Sequence, residues 1–204
     1  EMCQYEKALE FYTRSLAISQ EVGDQFGEAG TLHQIGLLYE ETRRYDEALE
    51  YYQQSLAISR EIEEQAGEAM TLHQIGSVYV KIEQYDKALD YYNQSLAISR
   101  KAGNLAVNAG TLNQIGMVYR RINLPDKALE CYNQSLAITR EIGDRVNEAG
   151  ALHQIGMIYE LIQTDKALDY YNQSLAISRE IGNRRGEVLT LAQIGYYFME
   201  ISRF

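Results

Sequence analysis

The chain copies itself. The string Gln-Ile-Gly recurs with its glycine at Gly36, Gly76, Gly116, Gly156 and Gly195, at intervals of 40, 40, 40 and 39 residues. The pair Ala-Leu, preceded by a charged residue, returns with the same spacing at Ala8, Ala48, Ala88, Ala128 and Ala167. Ser-Leu-Ala-Ile follows it each time, starting at Ser15, Ser55, Ser95, Ser135 and Ser174. A period of this length makes each copy one supersecondary unit, too small to bury its apolar face alone and able to do so only by stacking on its neighbours. One residue is missing between Tyr159 and Ala167 relative to Tyr119 and Ala128; a short turn between helices is expected to absorb it.

Each copy reads as two helices. Leu32, Ile35, Gly36 and Tyr39 fall at i, i+3, i+4 and i+7, one stripe of a first-type helix. Ala48, Leu49, Tyr52, Leu56 and Ser59 form the stripe of a second-type helix. The polar run Thr42-Arg43-Arg44-Tyr45-Asp46 lies between them, with Asp46 expected to cap the second helix. Gly23-Asp24, Gly103-Asn104, Gly143-Asp144 and Gly182-Asn183 follow second-type helices. Glycine suits a left-handed helix end, and Asp or Asn suits the cap of the next helix. Glu63-Glu64 stands there in one copy, so that junction is expected to be less sharply defined. The one proline, Pro125, is placed at the start of a second-type helix, where its missing N–H does little harm. A glycine inside a helix costs roughly 1 kcal/mol relative to alanine. Its recurrence at one position therefore predicts close approach of a partner helix, expected near Ala48 and its equivalents.

Composition narrows the function. With 19 Lys+Arg against 29 Asp+Glu the chain carries a net charge of −10, which repels phosphate backbones, and no basic run offsets it. No stretch approaches ~18 uninterrupted apolar residues, so no membrane span is expected. Two cysteines in 204 residues make no disulfide framework and fit a reducing, cytoplasmic compartment. The chain opens Glu1-Met2-Cys3-Gln4, without an initiator Met or a signal peptide, and is expected to be a segment of a longer protein. Cys131 and Cys3 have no acid or base beside them in sequence, and no phosphate-binding glycine loop or nucleophile signature is present, so no enzyme and no cofactor are expected.

The positions Leu32, Ile35-Gly36, Tyr39, Ala48, Tyr52 and Ser55 resemble those of the tetratricopeptide repeat. The other copies supply Leu72, Gly76, Tyr79, Ala88 and Tyr92; Leu112, Gly116, Tyr119, Ala128 and Tyr132; and Leu152, Gly156, Tyr159, Ala167 and Tyr171. The usual unit is ~34 residues with a proline at its end; here it is 40, with Arg60 at that place. This long form is similar to the repeats of Pins-type adaptors, to those of kinesin light chains, and to arrays in bacterial signalling proteins with a nucleotide switch or a caspase-like protease elsewhere in the chain. The resemblance implies an all-α fold, a right-handed α-solenoid of antiparallel helix pairs. Its frame would be one array over 1–204: a second-type half repeat over 1–22, full repeats over 24–63, 64–103, 104–143 and 144–182, and a first-type half repeat over 183–204.

The resemblance further implies that first-type helices line a concave groove with the positions three before the glycine, one after it, and four and five after it. Three before stand His33, His73, Asn113, His153 and Ala192. One after stand Leu37, Ser77, Met117, Met157 and Tyr196. Four and five after stand Glu40 and Glu41, Val80 and Lys81, Arg120 and Arg121, Glu160 and Leu161, Met199 and Glu200. The mixture suits a protein or peptide partner of varied shape, because methionine adapts to its contacts and a His/Asn row hydrogen-bonds peptide backbone. A metal site is not expected, because zinc needs nitrogens ~2.1 Å from one ion while packed helix axes lie roughly 8–10 Å apart. The Lys/Asn clamp that some arrays use for a C-terminal carboxylate is absent, although Arg120 and Arg121 remain suited to an acidic group. The Gln34, Gln74, Gln114, Gln154 and Gln193 ladder is expected to join adjacent helices, and the Tyr pairs to pack between helices with their hydroxyls in water.

Three functions remain. The leading one is a scaffold that binds a peptide or helical segment of a partner in the groove. The second is the sensor arm of a larger signalling enzyme. The third is a structural array that self-associates head to tail through 1–22 and 185–203, whose last helix carries Tyr196, Tyr197, Phe198 and Ile201.

Overall fold

The structure, a computed structural model, describes residues 2–162 and 166–202, and of Met2, Cys3 and Ile201 the backbone alone. The one-residue deletion between Tyr159 and Ala167 falls on 163–165, and it lies outside the described residues, as does the Cys3 side chain. Ten helices and no strand are found among the described residues. They are α1 (Met2–Val22), α2 (Gln25–Glu41), α3 (Tyr45–Glu61), α4 (Gln65–Lys81), α5 (Tyr85–Lys101), α6 (Leu105–Arg121), α7 (Pro125–Glu141), α8 (Arg145–Leu161), α9 (Lys166–Glu180) and α10 (Arg184–Ile201). Even-numbered helices are the first type and odd-numbered ones the second. None of them is long and apolar enough to cross a membrane.

Residues 1–107 and 108–204 form two compact units. In the first, α1, α2, α3, α4 and α5 pack in order, and α2 also touches α4. In the second, α7, α8, α9 and α10 pack in order and α8 touches α10. Each unit therefore holds helical hairpins that contact only their neighbours, the arrangement of an α-solenoid.

The turns among the described residues are two or three residues long, and one hydrogen-bond pattern builds them. At the α3–α4 junction the Glu63 N–H donates to the Arg60 carbonyl at 3.2 Å and the Glu64 N–H to the Ser59 carbonyl at 2.8 Å. This closes the helix end with a left-handed residue. Gly23, Gly103, Gly143 and Gly182 supply that residue after the other second-type helices, at φ of 69–70°, and Arg43, Glu83 and Asn123 supply it after first-type helices, at φ of 59–60°. The residue after each of these glycines then caps the following helix: Asp24 accepts from the Gly27 N–H at 2.9 Å, Asn104 from Val107 at 3.2 Å, Asp144 from Asn147 at 3.0 Å and Asn183 from Gly186 at 3.0 Å.

Two expectations about these turns need correction. The Glu63-Glu64 junction is as sharp as the others, because Glu63 itself adopts φ 56° and the longer Glu64 side chain reaches the N–H groups of Ala66 and Gly67. Asp46 does not cap α3: Arg44 holds the cap position with no side-chain bond, and Asp46 lies inside the first turn, where it suits the helix dipole. Pro125 does begin α7. Arg60, at the place of the usual proline, reaches over the turn to Glu68 at 2.7 Å, and Arg140 and Arg179 reach Glu148 and Glu187 in the same way at 2.9 Å.

The helix glycines also meet a different partner from the one expected. A Cβ on Gly36, Gly76, Gly116 or Gly156 would lie 2.5–2.7 Å from the ring of Tyr52, Tyr92, Tyr132 or Tyr171, whose atoms come nearer than those of Ala48 and its equivalents. The alanines are fully buried beside the contact, but the flat ring of the second-type tyrosine is what occupies the glycine's face. Ser55, Ser95, Ser135 and Ser174 lock the same helix pairs, each donating its hydroxyl to the carbonyl of Ala29, Ala69, Ala109 or Ala149 at 2.7–2.8 Å. Gly195 has no atom within 4 Å of its would-be Cβ.

This contrast generates a test. Gly116→Leu should lower the unfolding free energy by about 1–3 kcal/mol through overpacking. Gly195→Ala, in open space, should raise it by up to ~1 kcal/mol through helix propensity. Urea unfolding of the two variants reads both signs.

Candidate functional site

The inner ends of the first-type helices are organised by a buried hydroxyl. Tyr52, Tyr92, Tyr132 and Tyr171 are 0% exposed, so their hydroxyls do not reach water as the sequence suggested. A phenol buried this way needs an acceptor. The residue four past the helix glycine, one turn further along the same helix, stands nearest to that task.

In the first unit that residue is Glu40. Its Oε2 accepts the Tyr52 hydroxyl at 2.6 Å, and its Oε1 accepts the Ser77 hydroxyl at 3.1 Å and pairs with Lys81 Nζ at 2.8 Å. The carboxylate is buried, while Lys81 remains exposed. Burial first, and the Glu40 carboxylate second, push the Tyr52 phenol far above its ordinary range. Three groove candidates, Glu40, Ser77 and Lys81, are thus brought together, around a tyrosine that the sequence reading had assigned to packing. In the second unit Glu160 plays the same part. It accepts the Tyr171 hydroxyl and, at 2.8 Å, Nε2 of Gln193. The glutamine ladder therefore does join adjacent first-type helices at this step.

The histidines point between repeats. His33 is buried, its Nδ1 3.0 Å from the Thr71 hydroxyl and its ring 5.4 Å from that of Tyr52. His153 is half-buried, with Nδ1 3.2 Å from the Thr190 hydroxyl and its ring 5.5 Å from that of Tyr171. His73 lies against Tyr92 at 5.3 Å. Burial lowers the pKa of all three. Thr71 and Thr190 carried no signal in the sequence beyond their recurrence.

Clefts open beside two of these histidines. One, of about 280 Å³, is lined by Phe26, Gly30, His33, Gln34, Gly67 and Met70 among others. Its counterpart in the second unit, of about 300 Å³, is lined by Val146, Gly150, His153, Gln154, Gly186 and Leu189 among others. Leu37 and Glu41 line a separate cavity of about 470 Å³ with Tyr5 and Tyr12, where the Tyr5 hydroxyl donates to Glu41 at 3.3 Å. Asn113, Met117, Arg120 and Met157 are half-buried, Arg121 is exposed, and Tyr196 on α10 is half exposed. The first tyrosine of each pair stacks on the first-type helix: Tyr51 on Tyr39 at 5.3 Å, Tyr91 on Tyr79 at 5.4 Å and Tyr170 on Tyr159 at 5.2 Å. Cys131 takes that place in the third repeat.

The buried histidines set a pH dependence. A base whose pKa falls on folding binds fewer protons folded than unfolded, so its stabilising effect is complete above 6.5 and is lost as pH falls through that value. The urea midpoint should be lower at about pH 5 than at about pH 7.5. Replacing His33, His73 and His153 by Asn, the residue at Asn113, should shrink that drop.

The tetratricopeptide repeat family model matches residues 1–61, 27–101 and 108–180. No curated protein sequence matches the chain. Among solved structures, BtubC (BKLC) from P. vanneervenii superposes with a TM-score of 0.80 at 21% identity, over 88% of this chain and 75% of that one. A Rap protein complexed with Competence and Sporulation Factor gives 0.80 at 17% identity, over 93% and 53%. The quorum sensor NprR from B. thuringiensis, in its apo form, gives 0.81 at 19% identity, over 97% and 56%. The chain thus spans about half the length of the last two, and identities this low speak for the fold alone. Repeat spacing, hairpin packing, the family match across most of the sequence and these superpositions agree: the chain belongs to the tetratricopeptide repeat family.

Proposed function

We propose that the first-type helices present a groove that binds a peptide or helical segment of a partner protein. The observation that carries this reading is the pair of equivalent clefts beside His33 and His153, which join apolar walls (Phe26 and Met70; Val146 and Leu189) to amide and imidazole groups. A few placed polar groups on an apolar floor are the usual make-up of a recognition site. A peptide held at several such points gains affinity from a surface already formed before it arrives. The likeness to a Rap protein complexed with a factor, and to a quorum sensor, fits a module whose occupancy regulates something larger.

The test fills the clefts. Gly30 and Gly150 each have open space where a Cβ would stand, so a large side chain there should leave the fold intact. Peptides selected from a random display library against the 204-residue chain should lose more than about tenfold in affinity for Gly30→Trp/Gly150→Trp, with the melting temperature unchanged. Undiminished binding would place the partner elsewhere.

Self-association is a second reading, and exposed apolar side chains on the terminal helices favour it. Leu189, Tyr196 and Phe198 on α10 are 57%, 50% and 47% exposed, and Phe11 and Ile18 on α1 are 65% and 59% exposed. The open face of Gly195 has the form that receives a tyrosine ring in the other repeats. Sedimentation of the chain should then shift with concentration, and Phe198→Ser should hold it monomeric. A concentration-independent coefficient contradicts this reading.

A further inference from the structure

One polar node of the second unit is wired differently from its counterparts. Glu40 and Glu160, each four residues past the helix glycine, accept the hydroxyl of the tyrosine packed on that glycine. In the third repeat Arg120 stands at this place, and the tyrosine is Tyr132. The Tyr132 side chain is fully buried and its hydroxyl hydrogen finds no acceptor, because Arg120, beside its oxygen, can only donate. The buried donor Arg120 Nε and the buried acceptors Asn113 Oδ1 and Gln154 Oε1 have no hydrogen-bond partner either. Burial pushes the Tyr132 phenol up to about 12, against the opposing pull of the Arg120 guanidinium beside it.

These atoms belong to one neighbourhood. Asn113 and Arg120 are seven residues apart on α6, two turns along one face. Gln154 on α8 holds toward Arg120 the register that Gln193 on α10 holds toward Glu160, which Gln193 reaches. Gln154 also lines the cleft beside His153. At the Glu40 and Glu160 nodes a carboxylate accepts the tyrosine hydroxyl and a neighbouring donor, Ser77 or Gln193; at the Val80 node the Tyr92 hydroxyl has no partner either. Arginine has donors only, so it cannot take over that task. Buried donors left without an acceptor are expensive, and an arginine fork matches a carboxylate with two parallel bonds.

We propose that Arg120, Tyr132 and Gln154 form a carboxylate subsite that receives an Asp or Glu side chain of an extended peptide partner. The partner's carboxylate does there what Glu40 and Glu160 do from within the chain, and the amide oxygen of Asn113 accepts from the peptide backbone. The chain's net charge of −10 opposes an acidic ligand at long range, so the attraction is local, within a screening length of about 8 Å. This inference rests on the groove reading above.

The probe is an array of N-acetylated decapeptides scanned one position at a time, with Glu against Gln and Asp against Asn, in C-amidated and free-carboxylate sets. The intact chain should favour the acidic member of a pair by about tenfold, in the amidated set as well as the free one. Arg120→Glu should erase that preference. It also supplies Tyr132 with an internal acceptor, so its melting temperature should hold or rise. Lys127→Glu, with the same change of charge at an exposed site on α7, should keep the preference. Peptides bound without regard to acid, or bound with the same preference by Arg120→Glu, overturn the subsite and leave the groove reading intact. A preference confined to free C-termini overturns the side-chain assignment, and a fall in melting temperature for Arg120→Glu shows Arg120 already satisfied within the fold. Retention of no peptide by the intact chain overturns groove and subsite together.

Discussion

A tyrosine ring packed against a glycine sets the spacing of four helix pairs. The glycine removes the one carbon that would strike the ring, and the ring replaces it with a large apolar surface. Close approach then brings the second-type serine within reach of a first-type carbonyl, a hydrogen bond repeated four times at nearly one length. Stacking completes the burial that one hairpin cannot achieve.

The same ring carries a hydroxyl into the interior, and this links packing to recognition. Where a carboxylate stands near the C-terminal end of the first-type helix it answers that hydroxyl, and where none stands, at Tyr92 and Tyr132, the hydroxyl lacks an acceptor. Glu40 and Glu160 give that answer, and are thereby withdrawn from service as free ligand groups. Val80 offers no polar atom, and Arg120 offers the wrong kind. Chemical variety at the proposed groove positions is therefore concentrated where the scaffold itself uses the side chain. A substitution there changes stability and surface together.

Much of this was legible in the residues. The forty-residue period marks the helical hairpins found among the described residues, because a copied hairpin repeats its stripe, its turn and its cap. Gly23-Asp24 and its relatives marked their junctions for the stated reason, a left-handed end followed by a cap. Glu63 misled because its left-handed backbone is imposed by the hairpin on either side and not by its own preference. Ala48 misled because small residues suggest a contact point, whereas the contact was made by the large flat neighbour four residues on. The groove was harder to read. Spacing places His33 and Glu40 on one face, but whether either is free depends on Thr71 and Tyr52, which come from other helices. Periodicity finds the face and not the partners across it.

The glycine–tyrosine contact is the central claim, and a double-mutant cycle at Gly76 and Tyr92 tests it most directly. Gly76→Ala alone should destabilise the chain, since the new Cβ would stand 2.7 Å from the ring. In a Tyr92→Val background the same change should become neutral or stabilising, for a coupling of at least about 1 kcal/mol. Changes that add within roughly 0.3–0.5 kcal/mol would mean the two residues do not set the helix spacing, and the account would fail at its base.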